Sequence, residues 1–319
     1  MIEQSQGTRQ SRILRGFARL ASGTIVSRAT GMLREMALAF YLGSGAAMDA
    51  FVVAFTLPNL FRRILGEKVL ESAVLPTYKQ LLNSEDPKAA ANLMKTTLLV
   101  IVAAGSMITA LGMVFTPWLV SLFAPGFDPE THRLAVVMSR IMFPFLVMIS
   151  VASMFGVILQ TREKFGLYGI APALFNIGVI IFVWWGLDRF GPLIAAWGVL
   201  AGVFLEGAVM YPVVRKTFRF RQSRMDMKDP SFKKVNHLAA PVLLETILDK
   251  TIVLVDRRLA SVLSAGSIAA LGYAFRLLQL PYGILVLAIA RTFYQHLVDA
   301  AEDIRDFIRM IESAVRCVL

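Results

Sequence analysis

Leu38-Ala39-Phe40-Tyr41-Leu42-Gly43-Ser44-Gly45, running on to Ala54-Phe55 and Leu57-Pro58, has a counterpart about 220 residues later. The second copy reads Leu259-Ala260-Ser261-Val262-Leu263-Ser264-Ala265-Gly266 and runs on to Ala274-Phe275 and Leu280-Pro281. Leu, Ala, Leu and Gly coincide at one offset, and Ala-Phe follows after a one-residue slip. An internal repeat in an apolar chain marks a transporter built of two lobes. The first copy opens a complete unit. The second lies close to Leu319, so the expectation is a chain truncated at its C-terminal side.

The residues around the repeat are those of a membrane protein. Of 319 residues 56% are hydrophobic and 17% charged, with mean hydropathy +0.63, whereas a soluble domain carries about a quarter charged residues. The apolar residues form blocks of twenty or more, long enough for a bilayer core of about 30 Å. Only helices and closed barrels satisfy their backbone there, and the block lengths favour an all-α polytopic fold. A net charge of +11 and a pI near 10.0 would suggest nucleic acid in a soluble chain. Here the cations sit mainly in loops, where they set orientation and meet anionic lipid, so no nucleic-acid partner is expected. The single cysteine, Cys317, excludes an internal disulfide, and three scattered histidines offer no metal-ligand spacing. The first apolar block carries Arg28, Arg34 and Glu35 and reads as a retained helix, not a cleaved signal.

Eight spans are predicted, near 14–42, 48–80, 93–123, 131–161, 166–188, 192–214, 236–263 and 267–296, with a ninth starting near 304. The expected division is a first lobe over 1–218, a basic loop over 219–235 and the start of a second lobe over 236–319. The segment Arg215–Lys234 holds Arg215, Lys216, Arg219, Arg221, Arg224, Lys228, Lys233 and Lys234; the N-terminus holds Arg9, Arg12, Arg15 and Arg19. The opposite loops, Gly43–Ala47, Asp128–Arg133, Asp188–Pro192 and Ser264–Ser267, are short and nearly free of cations. The positive-inside rule then puts the N-terminus in the cytoplasm.

Spans three to six read as almost free of ionisable groups away from their ends. Spans one, two, seven and eight are not, and a charge in the bilayer normally faces a cavity or a partner. In span one, Gly23, Ser27 and Gly31 form a small-residue stripe for close packing; Arg28 and Glu35 share a face, with Arg34 beside it. In span two, Asp49 stands where an N-cap would, and Pro58 should kink or break the helix. Arg63 and Glu67, one turn apart, are expected to pair, leaving Arg62 as the ligand candidate. Span seven carries an acidic stripe, Glu245, Asp249 and Asp256, flanked by Lys250, Arg257 and Arg258, which either pairs with the arginines or holds a cation. Span eight places Arg276 near Gln279, Pro281 and Gly283. If these spans are neighbours, Arg28, Arg34, Arg62 and Arg276 converge on an anionic substrate. Arginine's permanently charged planar fork suits a pyrophosphate. No nucleophile–base pair, phosphate-cradling glycine loop or metal constellation points to an enzyme.

The run Ser27-Arg28-x-x-Gly31-x-x-Arg34-Glu35, followed by Asp49-Ala50-Phe51-x-x-Ala54-Phe55-x-x-Pro58-Asn59-Leu60-x-Arg62-Arg63, resembles the signature of the MviN/MurJ lipid II flippases. Ala124-Pro125-Gly126-Phe127 is similar to that family, as are Leu254-Val255-Asp256-Arg257 and Tyr273-Ala274-x-Arg276-Leu277. The resemblance runs along essentially the whole chain, which covers about two-thirds of a family member. It implies the multidrug/oligosaccharidyl-lipid/polysaccharide (MOP) exporter fold, MATE-like, with two lobes in the bacterial inner membrane. It also implies a substrate, lipid II: undecaprenyl-pyrophosphate-linked disaccharide pentapeptide, moved from the cytoplasmic to the periplasmic leaflet. The family's cavity arginines fall on Arg28, Arg34, Arg62 and Arg276. Ser27, Glu35, Asp49, Arg63 and Glu67 fall on supporting or gating positions. Asp256 resembles a monovalent-cation ligand of some members. No cofactor is implied beyond coupling to membrane potential or such a cation; implied partners are cell-wall synthesis machinery and, were the chain end natural, a second copy. The sequence departs from the family at Lys68 and Glu71, at Glu245, Asp249 and Lys250, and at Arg291-Thr292-Phe293-Tyr294-Gln295-His296. Rival readings are another exporter of the superfamily, which for drugs would favour cavity acids and aromatics, and a non-transporting membrane interaction protein.

Overall fold

Three Asp-Pro dipeptides set three of the helix starts. Asp86, Asp128 and Asp229 each accept a backbone N–H of the first turn, with proline at the first helical position, where the missing N–H is no loss. The Thr131 hydroxyl and the backbone N–H groups of Thr131 and Glu130 hold the Asp128 carboxyl below its ordinary value.

The computed structural model describes residues 2–63, 67–84, 86–218 and 223–281. Among these there is no strand. The helices are α1 (Ile2–Leu42), α2 (Ala46–Arg62), α3 (Leu75–Asn83), α4 (Pro87–Phe123), α5 (Pro129–Met142), α6 (Phe145–Thr161), α7 (Phe165–Phe190), α8 (Leu193–Thr217), α9 (Pro230–Ser261) and α10 (Ser267–Pro281). The far part of span eight, with Gly283, and the expected ninth helix lie outside the described residues. So do Arg219 and Arg221, the run Arg291–His296, Cys317, and the side chains of Arg9, Arg12, Arg15, Arg19, Asp249, Lys250 and Gln279.

Among the described residues four helical stretches have the length and apolarity to cross a membrane: Pro87–Phe123, Pro129–Thr161, Phe165–Phe190 and Leu193–Lys216. Two expected spans are interrupted. Span four is α5 and α6, divided at Phe143-Pro144, with Pro144 capping α6. Span two continues through Pro58 and leaves the α-helical register only after Arg62. A π-helical turn follows at Leu70–Val74, ahead of α3.

The chain divides after Ser267 into two compact units. In the first, α1 packs on α7, α7 on α8, and α8 on α5 and α6; α2 lies against α5 and α6, and α4 against α5, α6 and α9. The small-residue stripe has the expected use: a Cβ at Gly23 would lie 2.7 Å from the carbonyl carbon of Gly169 on α7. The α7–α8 crossing is equally close, with Gly178 backed by the Cα of Gly202. The second unit is described only through α10, a short apolar helix.

The two ends of the first unit differ. At the basic end, Lys95 Nζ donates to Ser223 O, the Arg224 N–H to Asn92 Oδ1, the Asp226 N–H to Thr96 Oγ1, and Lys234 Nζ to Gln80 Oε1. At the other end Arg258 Nη1 donates to Leu122 O and the Gly126 N–H to Ser261 Oγ. Helix α9 is thus held at both ends against the helices that precede it.

Candidate anion-binding site in the helical bundle

The site is built on a row of rings. Phe51 stacks on Phe55, Phe55 meets Phe145, and Phe145 meets Phe175, with centroids 6.2, 5.7 and 5.9 Å apart. The row joins α2, α6 and α7. The Arg34 guanidinium of α1 ends it, 5.4 Å over the Phe175 ring, a cation–π contact that fixes a charge in an apolar setting. Arg34 also pairs with its neighbour Glu35. Beside it Asn176 donates to the Ser27 carbonyl and to Thr30 Oγ1 at 3.1 and 3.2 Å, locking α1 to α7 where Gly31 leaves room. Ser27 therefore contributes its backbone to the frame.

Arg62 closes the other side. Its Nη1 lies 3.0 Å from Glu67 Oε1, which corrects the expected Arg63–Glu67 pair; Arg63 is exposed. A regular helix superposes residues three or four apart, whereas Arg62 and Glu67 are five apart, and α2 ends at Arg62. Arg62 Nε and Asn59 Oδ1, one turn apart, are buried with no hydrogen-bond partner among the described residues. Buried polar groups are normally satisfied, so the Arg62 Nε–H is available to an anion and the Asn59 oxygen to a donor.

The charges acting on Arg62 come from Glu67, Arg63, Glu206 and Arg34. Glu206 corrects the reading of span six as almost free of ionisable groups: it lies in the middle of α8, 7% exposed. A lone carboxylate between Leu205 and Gly207 in an apolar block was the available signal. Glu71, on the π-helical turn, takes a hydrogen bond from Tyr168 of α7.

The remaining candidates are more dispersed. Arg28 stands exposed on α1, about 9 Å of helix rise before Arg34. Asp49 is not an N-cap: Gly45 holds that position without a side-chain bond, and the buried Asp49 carboxylate accepts the Gly266 N–H at 2.6 Å. Arg276 is exposed on α10, in the second unit. Asp256 is exposed on α9, and among the described residues no three His, Cys, Asp or Glu groups gather to hold a metal. The residues that departed from the family pattern meet: Lys68 Nζ lies 2.7 Å from Glu245 Oε1 across 177 positions.

The all-helical bundle with charged helices around an internal arginine cluster has the fold seen in solved transporters of the MOP superfamily. It is similar to an inward-facing MATE family multidrug transporter, with TM-score 0.74 and 16% identity over 94% of this chain and 70% of that one. Similarity is equal in fold to a solved lipid II flippase MurJ in an inward closed conformation, with TM-score 0.75 and 23% identity over 93% of this chain and 62% of that one. The family described as "Lipid II flippase MurJ" matches residues 38–319, and the chain belongs to it. A probable lipid II flippase MurJ of Rhizobium meliloti (strain 1021) is 30% identical over 299 residues, 90% of this chain and 55% of that protein. The chain spans little more than half the length of the first curated relatives it matches, 55–58%.

Proposed function

We propose that the chain acts as a lipid II flippase or as the greater part of one, binding the pyrophosphate of an undecaprenyl-linked peptidoglycan precursor and carrying it between leaflets. The observation that carries this reading is the Arg34–Arg62 cluster. Two guanidiniums are held in an apolar bundle, one with a buried Nε–H that has no acceptor among the described residues. Carboxylates in the cluster keep it stable when empty, and a diphosphate would replace them with a bidentate, charge-assisted partner. Arg28 would receive the headgroup on its way in. Arg276, on α10, is a further candidate for a diphosphate contact.

The inner membrane is the corresponding location, with the basic end in the cytoplasm. The cations at that end, among them Lys88, Lys95, Arg162, Arg215 and Lys216, suit anionic headgroups. Asp49 and the Gly266 turn would form the periplasmic gate. The two lobes would rock about the charged cluster to expose it alternately.

Cells depleted of their own lipid II flippase test the reading. Expression of this chain restores growth, and Arg62→Ala or Arg34→Ala abolishes the rescue at equal membrane levels. Failure to rescue despite stable insertion contradicts flipping by this chain.

A further inference from the structure

The cluster has no surplus positive charge. Arg34 pairs with Glu35 and Arg62 with Glu67, Glu206 also acts on Arg62, and Arg63 is exposed, so a doubly negative diphosphate entering the cluster leaves an excess of negative charge in a poorly polarisable setting. Such an excess is strongly unfavourable, and something must neutralise an acid. Glu35 and Glu67 each have a direct arginine partner. Glu206 does not: it is 7% exposed, and no hydrogen bond or ion pair reaches its carboxylate among the described residues. The charged groups acting on it are Arg62 and Glu67, and the nearby titratable hydroxyl is Tyr168 of α7. Helices α5 and α6, also packed on α8, bring no charge to bear on it among the described residues. Its one favourable neighbour is the guanidinium that the diphosphate would occupy.

We propose that Glu206 is a proton-binding site coupled to anion binding: it takes up one proton from water when a diphosphate engages Arg62 and returns it when the anion leaves. The inference rests on the diphosphate reading above. Among the described residues Glu206 is the buried acid without a partner of its own; the proton neutralises it, and the carried charge falls by one. By linkage, anything that favours the protonated carboxyl tightens anion binding by the same factor.

Isothermal titration of the purified full chain with P1,P2-dibutyl diphosphate, a diester neither of whose charges titrates near neutrality, tests this. Titration in two buffers of different ionisation enthalpy counts the protons. The wild-type chain should absorb about one proton per diphosphate bound, and its affinity should rise by up to about tenfold per unit fall in pH. Glu206→Gln, of the same shape, should bind more tightly, with affinity independent of pH and no proton uptake; Glu206→Asp should keep the uptake. Thermal midpoints establish that each variant is folded, and Glu206→Asp keeps the test open if Glu206→Gln is not. Binding without proton uptake in the wild-type chain, or uptake that persists in Glu206→Gln, overturns the proposal. No binding by the folded wild-type chain overturns the diphosphate reading itself, and this inference with it.

Discussion

The carboxylate of Asp49, buried in the first turn of α2, accepts the backbone N–H of Gly266 at 2.6 Å across 217 positions. The contact joins the two copies of the repeat at corresponding turns. Gly266 has φ +92°, and a Cβ there would stand 1.8 Å from the Ser44 carbonyl oxygen, so neither its conformation nor its space admits a side chain. Removing the acceptor leaves a buried N–H unmet, at a cost of about 1–3 kcal/mol to the closed end. In a Cys317→Ser background, Ala260→Cys, buried in the last turn of α9 ahead of Gly266, should react with an impermeant maleimide about tenfold faster when Asp49→Ala is added. An unchanged rate would mean that the contact does not hold this end closed.

Lys68 and Glu245 form an ion pair at 2.7 Å but are 37% and 64% exposed at their side chains, so the pair is worth no more than about 1 kcal/mol. A double-mutant cycle on Lys68→Ala and Glu245→Ala, read by denaturant unfolding in detergent, should give a coupling of about 0.2–1 kcal/mol. The charge reversal Lys68→Glu with Glu245→Lys should restore most of what either reversal loses. A coupling of several kcal/mol would contradict this.

Hydropathy made the helices legible in outline: each expected span through 236–263 falls on described helix, but spans two and four are interrupted, and the helices that begin at the Asp-Pro pairs start two to six residues before their expected bounds. What hydropathy could not show was which charges pair. Arg62 reads as unpartnered on an α-helical grid because Glu67 is five residues away, off the three- or four-residue spacing of that grid. Glu206 was hidden by averaging, since one carboxylate barely moves the hydropathy of a block as apolar as α8. Lys68 and Glu245 stood out singly against the family pattern. Their pairing depends on α9 lying along the π-helical turn, which no local spacing encodes. The small-residue stripe Gly23, Ser27 and Gly31 was legible because the period of a helix face is local.

Gly23 and Gly169 let α1 and α7 approach at backbone distance. Gly23→Val should force the helices apart and destabilise the chain by about 1–3 kcal/mol. The reading is a lower thermal midpoint in detergent. Gly207→Ala, at a site with no neighbour within 4 Å of an added Cβ, should leave the midpoint unchanged or slightly raised. Equal effects at the two positions would argue against close α1–α7 packing.

The most direct test of the central claim compares retention of undecaprenyl diphosphate with that of undecaprenyl monophosphate on the purified chain by native mass spectrometry. If the Arg34–Arg62 cluster is a diphosphate site, the diphosphate is retained preferentially, and Arg62→Lys, which keeps the charge but removes the planar fork, weakens that retention by about tenfold or more. Equal retention of the two lipids, unaltered by Arg62→Lys, would contradict the account.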